Sequence, residues 1–325
     1  MSPSDSPPIL IATRGSDLAL VQARAVQAQC QAGFPGRAFE LSIIKTTGDK
    51  LQTASLASQE LPKGLFTKEL ETALLNGEAA LAVHSLKDLP TELPLGLTLG
   101  AVGERADVRD VLIHKGTPGA FHSIASLPPH ATIATSSTRR EAQLRQHRPD
   151  LEIVPIRGNV PTRLRKLAEQ PGLFGTVLAA AGLHRLAYRI EAGGTLTSQN
   201  LPLPPGLFAF PIPLDEMLPC VGQAAIGIET READPEAAAL CQALTHQETL
   251  TCVTAERAFL QAMGGGCQLA VAAHASLNGT SLSMRSVTFV SGKPVTGTLT
   301  APASNPTGLG QALALQLSSG NPARP

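Results

Sequence analysis

The feature that most constrains this chain is a recurring unit in which a short apolar run stops at an Arg- and Ser/Thr-containing loop and then passes into helical spacing. Ile9-Leu-Ile-Ala12 is strand-sized, Thr13-Arg14-Gly15-Ser16 interrupts it, and Leu18, Val21, Ala25 and Val26 then recur at helical spacing. Strand, loop and helix in that order is the grammar of an α/β fold. The unit returns further on. Ala131-Thr-Ile-Ala134 leads through Thr135-Ser136-Ser137-Thr138 to a helix opened by Arg139, and Ile153-Val-Pro-Ile156 leads through Arg157-Gly158-Asn159 to a helix with Pro161 in its first turn. Further strands are expected at Leu41–Ile44, Ala79–His84 and Thr176–Ala180, and a helix through Phe66, Leu70, Ala73 and Leu74 that stops at Gly77. Gly193–Leu218, rich in Gly and Pro, reads as a linker or surface loop. Val221–Ile228 reads as a strand or core segment. Cys252–Met263 is an amphipathic helix ended by Gly264-Gly265-Gly266, Val271–Ser276 and Ser281–Val290 alternate as strands do, and Gly308–Leu317 is a last helix.

With 325 residues the chain is long enough for two or three domains. Lys+Arg and Asp+Glu are equal at 26 each, so no general field draws it to nucleic acid or membrane, and any anion must be held by local placement of arginine. Aromatics make up only 3%, which argues against a stacking platform for single strands. The first eight residues have neither a basic nor an apolar region, which predicts no secretory signal, and no apolar run reaches the roughly 18 residues of a membrane span. Five cysteines at 30, 220, 241, 252 and 267, with no C-x-x-C, predict neither a zinc site nor a disulfide framework and suit a reducing compartment.

The arginine loops carry the first chemical signal. Each precedes a helix N-terminus, where free N–H groups and the helix dipole favour an anion, and arginine adds a planar fork matched to carboxylate or phosphate. The plainer reading is N-capping with solvated arginines. At this level carboxylate and phosphate stay tied, although the absence of G-x-x-x-x-G-K-[ST] and G-x-G-x-x-G disfavours a nucleotide. Lys87 and Asp88, in His84-Ser-Leu-Lys-Asp88-Leu-Pro90, follow a strand directly, as catalytic residues of open α/β sheets do; a solvated turn is the alternative. Lys63-Gly-Leu-Phe66 is either a glycine turn feeding a helix or a loop that lays a lysine and a ring over a substrate. Gly264-Gly-Gly-Cys267 ends in a cysteine on a glycine run, either a nucleophile or covalent anchor, or a buried thiol after a helix stop.

Taken in order, these segments resemble the porphobilinogen deaminase (hydroxymethylbilane synthase) family over roughly residues 9–275. The resemblance is carried by Ile-Ala-Thr13-Arg14-Gly-Ser16, Lys63-Gly-Leu-Phe66 through Glu71, Ala-Val-His84-Ser-Leu-Lys87-Asp88-Leu-Pro90 and Thr-Ser-Ser137-Thr-Arg139-Arg140. It continues through Arg157-Gly-Asn159-Val, Ala-Gly182-Leu-His-Arg185-Leu, Val-Gly-Gln223-Ala-Ala-Ile-Gly-Ile-Glu229, Ala-Glu256-Arg257-Ala-Phe and Gly-Gly-Gly-Cys267-Gln.

The resemblance implies an α/β fold of three domains, the first two like type II periplasmic-binding-protein lobes with mixed sheets, the third a smaller α/β domain. By it, residues 1–103 and 222–240 form domain 1, 109–218 domain 2 and 246–325 domain 3. It implies a transferase of tetrapyrrole (haem and chlorophyll) biosynthesis that condenses four porphobilinogen molecules head to tail into hydroxymethylbilane with release of ammonia. A dipyrromethane cofactor is expected in thioether linkage to Cys267, needing no metal. Asp88 takes the catalytic position. Lys87, Ser137, Arg139, Arg140, Arg163 and Arg185 match cofactor-binding positions, and Arg14, Ser16, Arg157, Lys63 and Phe66 match substrate-binding ones. The anion becomes a carboxylate, several per pyrrole. A cytoplasmic monomer acting without nucleic acid or membrane is expected. The chain departs from the family pattern at Gln59-Glu-Leu-Pro62, at Thr47, where arginine is common, and in the length of Gly193–Leu218.

Overall fold

A computed structural model of the chain describes residues 7–48, 66–266 and 269–319. In chain order, it begins with β1 (Ile9–Arg14), α1 (Asp17–Gly33), β2 (Phe39–Ile44), α2 (Lys68–Leu75), β3 (Leu81–Ser85), a 3-10 turn at Leu86–Asp88, and β4 (Leu97–Val102). Next come β5 (Asp110–Lys115), β6 (Thr132–Ala134), α3 (Thr138–His147), β7 (Glu152–Val154), α4 (Val160–Glu169), β8 (Gly175–Ala179), α5 (Ala180–Arg185), β9 (Tyr188–Ile190), β10 (Leu196–Ser198) and β11 (Leu207–Pro211). The chain closes with β12 (Ile226–Arg231), α6 (Pro235–Leu244), α7 (Gln247–Ala262), β13 (Val271–Asn278), β14 (Ser281–Thr288), β15 (Val295–Pro302) and α8 (Pro306–Ser319). Two compact units result, one made of the chain up to Arg105 with Ala225–Thr251, the other of Ala106–Ala224 with the chain from Cys252 on.

The first unit holds a sheet ordered β2-β1-β3-β12-β4, in which β1 runs parallel to β2 and β3 while β12 is antiparallel to both β3 and β4. The second holds β7-β6-β8-β5-β11, with β6 parallel to β7 and β8, and β5 antiparallel to β8 and β11. The two orders are the same. In each, the reversed strand is the first that the chain lays down after crossing into the unit, β5 past Arg105 and β12 past Ala224. These are the mixed-sheet α/β lobes that the resemblance implies. The C-terminal residues add an antiparallel sheet β13-β14-β15, whose core is Leu282 and Met284 of the sheet with Phe259 of α7 and Leu313 of α8. The two helices approach closely at Gly310, where a Cβ would collide with the Ala255 carbonyl oxygen.

Several expectations are corrected. The buried face of α1 is Gln22, Ala23, Val26 and Cys30; Leu18 and Val21 are half-buried and Ala25 is exposed. Leu, Val and Ala surround this helix, so spacing alone does not select a face, and contact with Ile9, Ile11 and Val83 does. Gly193–Leu218 is no simple loop. It contains β10, paired with β9, and β11, paired with β5 at the sheet edge. An edge strand tolerates prolines of the kind that masked it, such as Pro211. Val221–Ile228 is broken at Ala224, whose φ of +74° is left-handed, so the strand starts only at Ile226. Strands β4, β5, β9 and β15 were not expected; β15 alternates between half-buried and exposed and shows no clear apolar face. Among the described residues no helix is long and apolar enough to cross a membrane.

Four of the nine phenylalanines gather around His114 of β5, a buried imidazole. Phe121 meets its ring edge-on at 5.0 Å and Phe174 stacks on it at 5.7 Å. Burial pushes the proton affinity of His114 below the usual 6.5, while the Lys115 carbonyl beside Nδ1 pulls the other way. The folded state therefore favours neutral His114, whereas the unfolded chain titrates near the ordinary value. The contribution is complete above about 6.5 and is lost as pH falls below it, because the unfolded state then binds the extra proton. The thermal midpoint is expected to fall more steeply from pH 7 to 5 in the wild type than in His114→Leu, as read by a thermal melt at each pH; parallel curves would contradict this.

Candidate active site

In the first unit, parallel pairing of β1 and β3 puts their C-terminal ends side by side, where open α/β sheets hold their ligands. Arg14 is the last residue of β1. Ser16 caps α1, its Oγ accepting from the Ala19 N–H at 3.4 Å. β3 ends at Ser85 and the 3-10 turn then presents half-buried Lys87 and exposed Asp88. Phe66 stands two residues before α2, and the Arg14 guanidinium lies 4.2 Å from its ring centroid, a cation–π distance. Arg14, Ser16, Phe66 and Asp88 line one cavity of about 60 Å3, so four of the residues expected from sequence are brought together. The turn at Lys63 and the cysteine at 267 lie outside the described residues.

The same cavity is lined by Gln22, Thr67, His84 and Ser85, which the sequence reading gave no role. Gln22 donates from Nε2 to Ser85 Oγ at 3.0 Å. His84 is buried, with Nε2 3.0 Å from Oε2 of Glu229, itself 0% exposed. Glu71 of α2 is also buried; burial pushes its carboxyl up, the Thr67 hydroxyl lowers it, and Glu229 raises it further. The available signal was a single acid or imidazole set in an apolar run, as in Ile226-Gly-Ile-Glu229 and Leu81-Ala-Val-His84.

In the second unit the expected residues split by environment. Ser137 caps α3, accepting from the Arg140 N–H at 3.4 Å. Arg139 and Arg140 turn inward and flank Asp110, the first residue of β5 and fully buried, at 2.8 and 2.7 Å. Arg140 uses Nε and Nη2 on Asp110 and Nη1 on the Val177 carbonyl, while Arg139 Nη1 also reaches the Leu218 carbonyl. Burial alone would raise the Asp110 carboxyl, but the two guanidiniums hold it well below the usual carboxylate range. Two cations against one anion leave a net positive charge beneath the capped N-terminus of α3, which favours an anion at that end. Arg157 is exposed after β7, and Arg163 donates from Nε to the Gly158 carbonyl at 2.7 Å, so these two frame the N-terminus of α4, capped by Asn159. Arg185 ends α5 and donates from Nη2 to the Ala224 carbonyl at 2.7 Å; burial lowers its proton affinity.

Asp110 escaped the sequence reading because an acid heading a strand resembles a solvated end. Removing it would leave two buried guanidiniums without their counter-charge. Asp110→Asn is expected to destabilise the fold by about 3–5 kcal/mol in urea unfolding, whereas a loss below about 1 kcal/mol would show the pair of arginines to be self-sufficient.

The comparisons with known proteins agree along the chain. Residues 9–239 match the family model for the porphobilinogen deaminase, dipyromethane cofactor binding domain, and residues 250–318 match that for the porphobilinogen deaminase C-terminal domain. The porphobilinogen deaminase of Moorella thermoacetica is 47% identical over 274 residues, covering 84% of this chain and 80% of that protein. That of Syntrophus aciditrophicus is 46% identical, covering 85% and 83%, and that of Geobacter metallireducens 42% identical, covering 94% and 90%. Among solved structures, the BvgS VFT2 domain of Bordetella pertussis overlays with a TM-score of 0.40 at 17% identity, covering 74% of this chain and 88% of that one. On the two family models and these identities, the chain belongs to the porphobilinogen deaminase family.

Proposed function

We propose that this chain condenses four porphobilinogen molecules head to tail into hydroxymethylbilane, releasing ammonia, on a dipyrromethane held by a thioether to Cys267. The observation that carries the reading is the meeting of Arg14, Ser16, Phe66 and Asp88 around one cavity at the ends of adjacent parallel strands. A pyrrole with carboxylate side chains and a cationic reaction centre needs that combination: guanidinium and hydroxyl donors for the side chains, and one carboxylate where positive charge develops. Asp88 is the carboxylate in this reading. Arg14 and Ser16 hold substrate carboxylates with Arg157 and Lys63, while Phe66 offers a ring face.

The residues present fit a dipyrromethane. Its acetate and propionate groups call for several cationic donors, and the second unit offers the net charge left by Arg139 and Arg140 over Asp110, together with Arg163, Arg185 and the Ser137 cap. Lys87 adds a cation beside Asp88. Gly264, Gly265 and Gly266 take φ of +103°, +64° and +105°, conformations that favour glycine, so the backbone leading to Cys267 is built for a turn that a side chain would strain. When bound, the dipyrromethane supplies a pyrrole carbon to which porphobilinogen is joined. The chain's own part is to fix carboxylates, place Asp88 and move protons.

The reading includes three domains, at 1–103 with 222–240, at 109–218 and at 246–325, and a cytoplasmic monomer that acts on a small molecule without nucleic acid. The equal charge count, 26 against 26, supports the last point.

Cys267→Ser is expected to have an intact mass without the dipyrromethane increment and no production of hydroxymethylbilane from porphobilinogen. Full activity in that variant would refute the anchor. Asp88→Asn is expected to keep both the mass increment and the melting temperature while ammonia release slows by about 100-fold or more. Turnover within a few-fold of wild type would make Asp88 a bystander.

A further inference from the structure

Among the described residues three carboxylates are 0% exposed, and two have a hydrogen-bond or ion-pair partner at each oxygen. Asp110 faces two guanidiniums. Glu256 accepts the Gly222 N–H at Oε2 and the Ala275 N–H at Oε1, each at 2.8 Å. Glu229 differs: Oε2 meets His84 Nε2 at 3.0 Å, while Oε1 is buried with neither a hydrogen bond nor an ion pair. Burying an ionised carboxylate against a neutral ring would leave an uncompensated charge, which is unfavourable in a dry interior. The arrangement that avoids this cost is a neutral pair sharing one proton, carboxylate with imidazolium or acid with imidazole.

The pair is placed where such a proton has a use. His84 lies on β3 and Glu229 on β12, and the register sets Glu229 opposite Ala82 and His84 opposite Gly227, so their side chains are diagonal neighbours. His84 also lines the cavity that holds Arg14 and Asp88. Glu71 from α2 interacts with both members of the pair, Arg14 from β1 and Asp88 from the turn after β3 line the cavity beside His84, and Arg231, further along β12, is turned to Asp234 and to the Leu74 and Ala79 carbonyls. The pair thus joins two strands and also sets an imidazole at the cavity wall.

We propose that His84 is the proton-transfer residue of this site, working beside Asp88, and that Glu229 is the positioning residue that holds its ring and the shared proton. The inference rests on the proposed condensation. In that reaction the aminomethyl nitrogen of porphobilinogen, bound as the free amine, takes the proton from His84; the C–N bond breaks with its electron pair on nitrogen, and ammonia leaves. The electrons of the acceptor pyrrole form the C–C bond to the carbon left behind. The hydrogen on the acceptor carbon then departs as a proton to His84, its bonding pair restoring the aromatic ring. One proton is lent and one returned, and the sum is amine plus pyrrole giving the joined pyrroles plus ammonia.

Glu229→Gln keeps the size and a hydrogen bond but removes the charge. With the dipyrromethane mass increment intact and the melting temperature within a few degrees of wild type, kcat is expected to fall about 100-fold, with KM changed less than threefold. The pH profile of kcat is expected to change as well, since the carboxylate beside His84 is gone. Glu229→Asp restores part of both, which a merely structural contact would not do. Should Glu229→Gln fail to fold, 15N-histidine NMR of the wild-type holoenzyme at pH 7 decides the matter: a His84 signal protonated at both nitrogens, or a proton shared with Glu229, supports the pair, and a plain neutral ring overturns it. A folded, loaded Glu229→Gln with wild-type kcat and pH profile also overturns it while leaving the condensation standing. A wild type that forms no hydroxymethylbilane instead overturns the condensation itself.

Discussion

The structure depends on where the chain sets down its reversed strands. Each five-stranded sheet has three parallel strands followed by one antiparallel strand, β12 in the first and β5 in the second, and that strand is the first one formed on arrival from the other unit. A parallel sheet alone needs a crossover after every strand. By closing the parallel set with a strand borrowed from another part of the chain, each unit keeps β1 beside β3, or β6 beside β8, with their C-terminal ends level. The loops leaving those ends carry the arginines, the hydroxyl caps and Asp88. The residues proposed for the chemistry thus sit where the topology collects strand ends.

Buried charge is handled differently in the two sheets. β5 opens with Asp110, and two guanidiniums from one helix turn over it, so the second sheet is pinned by a cluster whose members hold each other in place. β12 carries Glu229, whose one hydrogen bond among the described residues is to His84 at the wall of a cavity. Both carboxylates sit on the reversed strand of their sheet, yet one is held between two guanidiniums and the other meets one imidazole. A site that must move protons is better served by the second arrangement, since a fully satisfied carboxylate gives nothing up.

The fold was largely legible in the sequence because strand, loop and helix alternate with distinct periods, and the capped helix starts at Ser16, Ser137 and Asn159 coincide with hydroxyl or amide residues before apolar spacing. The failures have physical causes. In α1, apolar residues on every side left the buried face to tertiary contact. In β11, the prolines read as loop because edge strands tolerate them. In β15, a strand exposed on one side shows too little apolar contrast. Of the candidate site, the residues that project from loop ends were legible: Arg14, Ser16, Asp88, Arg157. Their supports were not, since Asp110, Glu71 and Glu229 differ from surface acids only in what surrounds them, and that is settled by strand pairing between segments more than 100 residues apart, such as β3 and β12.

The arginines show why residue type and motif position stop short of a role. Arg139 and Arg140 are neighbours in one helix turn and Arg157 follows the next strand, and all three read alike as forks at a helix start. In the fold, Arg140 has its Nε and both terminal nitrogens engaged within the second unit, by Asp110 and the Val177 carbonyl, while Arg157 is exposed. An anion drawn to the start of α3 therefore meets a charge that is already oriented and partly neutralised, and one drawn to the start of α4 meets a side chain free to adjust its reach. The first arrangement suits a group that is bound once and kept; the second suits a chain whose carboxylates change position as it lengthens. Asp110, more than the arginines it faces, makes that difference.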